Sequence, residues 1–261
     1  MDTVKQLTAR LIFCLIPAIL PAWVNFEQIH CSRNEVYLGP ELYHVSRTRS
    51  GGTKQDGVLT GVRGIYDRLA RYRWYWGAEF AVAQGSLRGH TGTDARLRSH
   101  FDDAMVEGRL GYTFQSKTGT CGLFTPFVGY GYAQERNRYV GPSPVHVHFK
   151  NSYDYAAAGF ISRLYYSHCL SLGLNVTVKY GIEGKIKVSH DPQLETKHLR
   201  YEHRMMCRIC LPITYQPQKW GICLNPFFEY RRFGGLDQVP FNFLDTRLKI
   251  WGVDFFLSYK F

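Results

Sequence analysis

The strongest constraint on the fold is a two-residue alternation of side-chain type that is sustained over long runs. In the run 170–187, an apolar residue occupies every second position from Leu170 to Ile182. Alternate residues of a β-strand point to opposite faces of the sheet, so each run of this kind predicts a strand between two different environments. The apolar face can meet either a soluble core or lipid, and the rest of the chain has to decide between them.

Strand-like runs follow one another from about residue 35 to the end of the chain. We count ten of them, at 35–48, 58–69, 72–87, 101–115, 122–138, 149–166, 169–188, 199–215, 221–233 and 245–261. Several exceed the roughly 5–6 residues of a soluble strand and reach the roughly 9–11 that cross a bilayer. Long polar gaps alternate with short turns, which predicts an all-β, antiparallel up-and-down transmembrane β-barrel of about ten strands. Eight or twelve strands, and a secreted sandwich with a solvated face, are the alternatives.

The second face of these runs is rich in glycine and in charges of both signs. Inside a narrow barrel such charges would be removed from water, and buried charges are tolerated when they are paired. We therefore predict a charge network in the lumen. Its predicted members are Arg63, Asp67, Arg73, Glu79, Glu107, Arg109, Lys179, Glu183, Arg208, Glu229, Arg231 and Asp254.

The N-terminus has the pattern of a secretory signal. Lys5 and Arg10 precede an apolar run from Leu11 to Val24, which is interrupted only by two prolines. We predict a signal peptide over 1–22, a periplasmic segment over 23–34 and a barrel domain over 35–261. An uncleaved anchor helix is the alternative, although the prolines and the short length oppose it. No other apolar run is long enough for a spanning helix.

The C-terminal stretch WGVDFFLSYKF resembles the end of small bacterial outer-membrane β-barrel proteins of the 8–10-stranded class. Two internal stretches, TPFVGYGYAQER (Thr125–Arg136) and NPFFEYRRFGG (Asn225–Gly235), are similar to their aromatic, Gly/Tyr-rich strands. The resemblance implies location in a Gram-negative outer membrane and insertion by the barrel-assembly machinery. The implied insertion signal consists of Trp251, Val253, Phe255, Leu257, Tyr259 and Phe261.

The net charge of +11 points to anionic partners. Export makes nucleic acid an improbable partner, so outer-membrane lipid, lipopolysaccharide, host surfaces and other envelope proteins are the candidates. The predicted loops carry Arg47, Arg49, Lys54, Arg96, Arg98, His146, His148, Lys150 and Lys197. Since binding usually resides in loops on a rigid scaffold, we predict a structural or surface-interaction role without catalysis or cofactor. A small-solute pore is the alternative.

The cysteines allow two interpretations. Cys31, Cys121, Cys169 and Cys223 map to the periplasmic ends of the predicted strands, where an oxidising compartment permits disulfides. They can equally serve as small buried apolar residues. The Cys207–Cys210 pair has the spacing of a zinc knuckle, but residues three apart on a strand face opposite ways and no second knuckle exists, so no metal site is predicted.

The sequence leaves two enzymatic alternatives to a non-catalytic role, a protease and a lipid-deacylating enzyme. Omptin proteases are ten-stranded outer-membrane barrels that use an aspartate pair and an Asp–His pair, and Asp102-Asp103 with His190-Asp191 occupy comparable positions. However, adjacent strand residues face opposite ways, which argues against shared chemistry. A lipid-deacylating barrel would need a His–Ser pair at the bilayer interface. The candidate pairs are His44 with Ser46 and His168 with Ser167, and neither has an obvious supporting carboxylate.

Overall fold

The computed structural model describes residues 32–70, 73–115, 122–144, 147–165, 169–189, 197–201, 205–233, 236–238, 241–243 and 245–261. The described residues form β-strands joined by turns. The strands are β1 (Ser32–Arg49), β2 (Thr53–Ala70), β3 (Trp74–His90), β4 (Arg96–Tyr112), β5 (Phe114–Gln115), β6 (Gly122–Tyr139), β7 (His148–Tyr165), β8 (Leu170–Ser189), β9 (Lys197–Tyr201), β10 (Met205–Cys210), β11 (Ile213–Tyr215), β12 (Trp220–Phe233), β13 (Leu236–Gln238), β14 (Phe241–Phe243) and β15 (Thr246–Lys260).

The sheet closes on itself. Each long strand pairs antiparallel with its sequence neighbours, and β1 pairs with both β2 and β15. Short strands β9, β10 and β11 together form one wall position between β8 and β12. The result is a ten-strand up-and-down antiparallel barrel, which confirms the predicted fold class. The small β13–β14 hairpin, which the sequence did not predict, extends the loop between β12 and β15.

The break between β10 and β11 has a local cause at Pro212. Proline has no backbone N–H, so it cannot donate a hydrogen bond to the ladder. Its carbonyl still accepts a hydrogen bond from the N–H of Gly173 on β8, at 2.8 Å. The neighbouring Leu211 N–H reaches the carbonyl of Pro226 on β12, at 3.0 Å. The wall therefore stays closed across the break.

The outer face carries an apolar band on the half of the barrel nearer the two chain ends. Its lower edge includes Trp74 and Trp220, and its upper edge lies near Val82 and Trp251. Above this edge the outward side chains become polar or charged. Such a band with aromatic residues at its margin is typical of strands that meet lipid. Among the described residues, no helix is long and apolar enough to cross a membrane.

Strand β8 contains a β-bulge that changes which face its residues occupy. The register with β7 shifts between Asp154, which pairs with Glu183, and Tyr155, which pairs with Gly181, so Ile182 is the extra residue. A one-residue shift moves every following side chain to the other face. Glu183 therefore points outward with its side chain 51% exposed, and the prediction that it lies in the lumen is wrong.

Arg73 also departs from its predicted position. It lies just before β3, at the end of the barrel nearer the chain ends, and is exposed rather than enclosed. The lumen begins with Tyr75, two residues further on. The first strand begins at Ser32, three residues before the predicted start of the barrel domain. The predicted signal peptide and most of the 23–34 segment lie outside the described residues.

Candidate functional site

The lumen is filled in layers, and the lowest layer surrounds Arg163 of β7. Its guanidinium forms ion pairs with Glu35 and, at 3.8 Å, with Asp67. Two tyrosines complete the layer, because Tyr37 donates a hydrogen bond to Glu35 at 2.6 Å and Tyr75 donates one to Asp67 at 2.7 Å. Of these residues the sequence predicted only Asp67. The alternation of apolar and polar residues is less regular in the run 149–166 than in the other runs, so the sequence did not identify Arg163 as a lumen residue.

The middle layer is built around Arg63 and Arg208. Arg63 forms ion pairs with Glu41 at 2.9 Å, with Glu79, and with Asp254 at 3.6 Å.

Arg208 extends the same layer to the other side of the lumen. It contacts Glu229 and Asp254, each at 3.1 Å. Asp254 thus lies between the two arginines and also accepts a hydrogen bond from Asn225 at 2.8 Å. A shared network of this kind pairs every buried charge with an opposite one.

Glu107 joins this layer to β4 and β8. It accepts from Arg109 Nε at 2.6 Å and pairs with Lys179 Nζ at 2.7 Å. Arg109 also bridges to Glu79, which links this pair to Arg63. The charges of the middle layer therefore form a connected network across the barrel.

Arg231 is the uppermost cation of the ion-pair network. It pairs with Asp103 at 2.8 Å, Glu135 at 2.9 Å and Glu229 at 2.5 Å. Asp102, the neighbour of Asp103, faces outward and pairs with Arg138 at 3.0 Å. The two adjacent aspartates thus lie on opposite sides of the wall, each with its own cation. His190 and Asp191 lie outside the described residues.

The lumen above Arg231 is mostly apolar, with buried polar residues such as Gln55, Ser99 and Asn137 among the apolar ones. One buried apolar cluster consists of Tyr43, Val45, Leu59, Ala83, Leu87, Phe101, Val147, Ile186, Val188, Cys210, Phe227, Phe233, Leu248 and Ile250. Cys210 and Phe227 extend this cluster below Arg231, beside Arg208. Arg47, which the sequence assigned to a loop, also points inward at this level and donates to Gln55 at 3.4 Å. The described residues thus fill the lumen at two levels, with paired charges at the lower level and a largely apolar cluster at the upper level.

The outer wall above the apolar band is basic. Its outward cations include Lys54, Arg88, Arg96, Arg98, Arg136, Arg138, Lys150, Lys185, Lys187, Arg232, Arg247 and Lys249, and its outward acids include Asp56, Asp102, Asp154, Glu183 and Asp245. Some cations are neutralised locally. The hydrogen bond that Arg232 donates to Asp245 at 3.1 Å raises the pKa of that guanidinium.

Two groups of cations have no acidic side chain at ion-pair distance among the residues that the structure describes, although Asp56 is directly opposite Arg88 and Asp102 directly opposite Arg136. The tip cluster lies at the upper ends of β2, β3 and β4 and consists of Lys54, Arg88, Arg96 and Arg98, with Arg88 directly opposite Arg98. The wall cluster lies on β6, β7 and β8 and consists of Arg136, Lys150 and Lys187, which are directly opposite one another.

The residues of the implied insertion signal follow the outer face of β15. Trp251, Phe255, Leu257 and Phe261 are exposed outward, while Val253 and Tyr259 are half-buried on the same face. The Tyr259 ring packs between Trp220, at 4.7 Å between centroids, and Phe261, at 6.1 Å. The position of these side chains is the one that lipid contact requires, and their recognition by an assembly machinery stays a prediction.

No disulfide joins the cysteines that the structure describes. Cys223 is buried beside Tyr37 and Phe256, as expected of a small apolar residue. Cys169 is half-buried and lies in the lower turn region. The disulfide interpretation therefore finds no support at these two positions, while Cys31 and Cys121 lie outside the described residues.

Of the two candidate His–Ser pairs, His44 with Ser46 is the one that the described residues include. The His44 ring stacks on Trp251, at 4.5 Å between centroids, and Ser167 and His168 lie outside the described residues. A different pair was missed because its members come from two strands: Ser86 Oγ lies 3.2 Å from His100 Nδ1 on the outer wall. Asp102, the nearest carboxylate along β4, is paired with Arg138 instead.

No protein-family model matches the sequence, and no curated protein matches it. Among solved structures, the outer membrane protease OmpT from Escherichia coli aligns with a TM-score of 0.61 at 10% identity, covering 89% of this chain and 98% of that one.

The chain has the fold of a small bacterial outer-membrane β-barrel protein. The attachment invasion locus protein Ail of Yersinia pestis also matches, at 11% identity over 87% of this chain and 99% of that one, with a TM-score of 0.37. OprG of Pseudomonas aeruginosa matches at 10% identity over 89% and 97%, with a TM-score of 0.35. At these identities the likeness concerns the fold alone.

Proposed function

We propose that this chain is an integral protein of the bacterial outer membrane with a structural and surface-interaction role, and that it neither conducts solutes nor catalyses a reaction. The filled lumen is the observation that carries the proposal. Ion-paired side chains occupy its lower and middle parts, and an apolar core lies above them. The functional surface is then the outside of the barrel and its loops.

The pore alternative is disfavoured by the same layers. A narrow barrel is filled by its own side chains, whereas the wide porins leave an aqueous channel. Here a solute would first have to separate buried ion pairs such as Arg63–Glu79 and then cross the apolar cluster around Leu59 and Leu248. Each step carries a desolvation cost.

The protease alternative is disfavoured by the placement of the two aspartates. A general base needs a carboxylate or imidazole that can reach the attacking water. Asp103 is enclosed and tied to Arg231, and Asp102 is on the other side of the wall. The fold that this chain shares with OmpT does not carry activity, because one fold hosts unrelated functions.

The surface role is supported by the tip cluster. Arg88 and Arg98 are directly opposite on one face of β3 and β4, and like charges in that position repel. Lys54 and Arg96 lie one row higher, on either side of His90. Such a cluster at the end of a rigid barrel is suited to a polyanion, for example a sulfated or phosphorylated glycan.

Two measurements on the folded full chain test the proposal. In planar bilayers we expect no single-channel conductance, and a reproducible channel would refute the closed lumen. In a heparin-binding assay the double variant R88Q/R98Q should bind more weakly than wild type, with affinity that falls as salt rises. The wall-cluster variant K150Q/K187Q is the matched control. Equal loss in both double variants would show general charge attraction and no specific tip site.

A further inference from the structure

We infer that the wall cluster of Arg136, Lys150 and Lys187 is a binding site for the phosphate of an anionic lipid in the outer leaflet. The inference rests on the proposed outer-membrane location and assigns one partner to one sector of the wall. It is independent of the tip cluster, which lies on other strands.

The register brings the three cations together. Arg136 on β6 is directly opposite Lys150 on β7, and Lys150 is directly opposite Lys187 on β8. All three side chains point outward, and none has an acidic partner at ion-pair distance within the described ranges. Asp102 on β4 is directly opposite Arg136 but pairs with Arg138. Like charges directly opposite on neighbouring strands destabilise a sheet. An anion that lies against all three would relieve this repulsion.

The surface beside these cations is concave. A depression of about 330 Å³ is lined by Tyr132, Lys150, Ser152, Asp154, Glu183, Lys185 and Lys187. This volume is at the lower end of the roughly 300–1,000 Å³ of small-molecule sites. The side chains that line it offer ammonium groups, a hydroxyl and one aromatic face. A phosphorylated sugar headgroup presents chemistry complementary to that set, because phosphate oxygens accept from ammonium groups and the ring packs on an aromatic.

The height of the cluster on the wall favours a lipid over a soluble anion. The outward row immediately below it contains Gln134, Ser152 and Lys185, and the next row contains Tyr132. Tyr130 and Tyr180 follow on the apolar band. The cluster therefore lies just above the level where the outward face changes from apolar to charged. In a membrane, phosphorylated headgroups occupy this boundary while their chains contact the band below.

The bulge in β8 creates the site. If the same residues alternated strictly, with no bulge at Ile182, Lys185 and Lys187 would point into the lumen. With the bulge, these lysines point outward, and Ile186 and Val188 enter the buried apolar cluster. Bulges are frequent next to functional sites, where they redirect side chains.

Two acids set a limit on the site. Asp154 and Glu183 lie two rows from the cluster on the membrane side, and Glu183 pairs with Lys185 of the intervening row at 3.5 Å. They oppose any anion that covers the whole depression, so the phosphate should contact the upper row. Replacing Glu183 by glutamine should free Lys185 and strengthen binding.

The test uses the folded full chain in a non-ionic detergent, with bisphosphorylated lipid A as the probe. Wild type should bind it more tightly than enzymatically dephosphorylated lipid A. The double variant K150Q/K187Q should bind at least about tenfold more weakly, because each lost ammonium removes a charge-assisted contact. R88Q/R98Q is the matched control and should bind like wild type. Heat-modifiable gel mobility verifies that each variant is folded.

Several outcomes would overturn the inference. They are equal binding of the dephosphorylated lipid, equal loss in the tip variant, and displacement of the lipid by millimolar inorganic phosphate, which would indicate a site for free phosphate. Loss of wild-type binding in EDTA would indicate bridging by a divalent cation instead of direct contact with lysine. A conducting channel would refute the proposed function and leave the lipid result interpretable, so the two failures can be told apart.

Discussion

The buried network around Arg63 gives the sharpest prediction for stability. Replacing Arg63 by methionine keeps much of the side-chain volume but removes the cation that faces Glu41, Glu79 and Asp254. Glu79 retains Arg109, and Asp254 retains Arg208, whereas Glu41 has no other ion pair among the described residues. Removing one partner from a buried ion pair typically costs about 3–5 kcal/mol, because the remaining charge stays desolvated. We expect a loss of that size for R63M.

The assay is urea unfolding of the barrel in detergent, followed by the mobility difference between boiled and unboiled samples. With a denaturant slope of about 3 kcal/mol per molar, the midpoint should fall by roughly 1–1.7 M. R88M, which removes an exposed arginine from the outer wall, is the control and should change stability by less than about 0.5 kcal/mol. The double variant R63M/E41Q should recover part of the loss. A midpoint for R63M within about 0.2 M of wild type would refute the reasoning.

Two further predictions concern the bulge and the thiols. Deleting Ile182 should leave the heat-modifiable folded form intact, because the deletion removes only the bulge and keeps Lys185 and Lys187 on the outer face, with Asp154 still opposite Glu183. I182A, which keeps the bulge, is the control and should also fold; loss of the folded form in the deletion variant alone would contradict the assignment of Ile182 as the extra residue. Cys169 and Cys223 should both react with an alkylating reagent when the protein is denatured without reductant, and mass spectrometry that finds their peptides linked would contradict the absence of a disulfide between them.

Within the apolar band the sequence was sufficient to predict the fold and most of the lumen. There the outside is apolar and the inside is charged, so the alternation of β3, for example Trp76 against Glu79, identifies both faces. The lower residues Glu35 and Arg163 follow the same rule. They could have been found by extending the strict phase of β1 and β7 to the ends of those strands.

Above the band the inner and outer faces exchange their apolar and charged character, and the sequence alone assigned residues to the wrong face there. There the inside is apolar and the outside is charged, so an unbroken alternation no longer identifies the face. In β1 the apolar phase changes from Leu42 outside to Val45 inside without a bulge. In β8 the apolar residues keep the same phase from Ile182 to Val188, and the bulge moves them from the outside to the inside. No local pattern distinguishes these two solutions.

The length of the strands determines how far the barrel wall extends beyond the apolar band. β1 has 18 residues, which at about 3.4 Å each and a tilt near 40° span roughly 45–50 Å along the barrel axis. An apolar band is about 25 Å tall, and here it begins at the lower end of the barrel, so roughly 20 Å of rigid wall projects beyond it on the far side. In the proposed surface role, this projecting wall would hold the loops away from the apolar band, where a large partner could reach them.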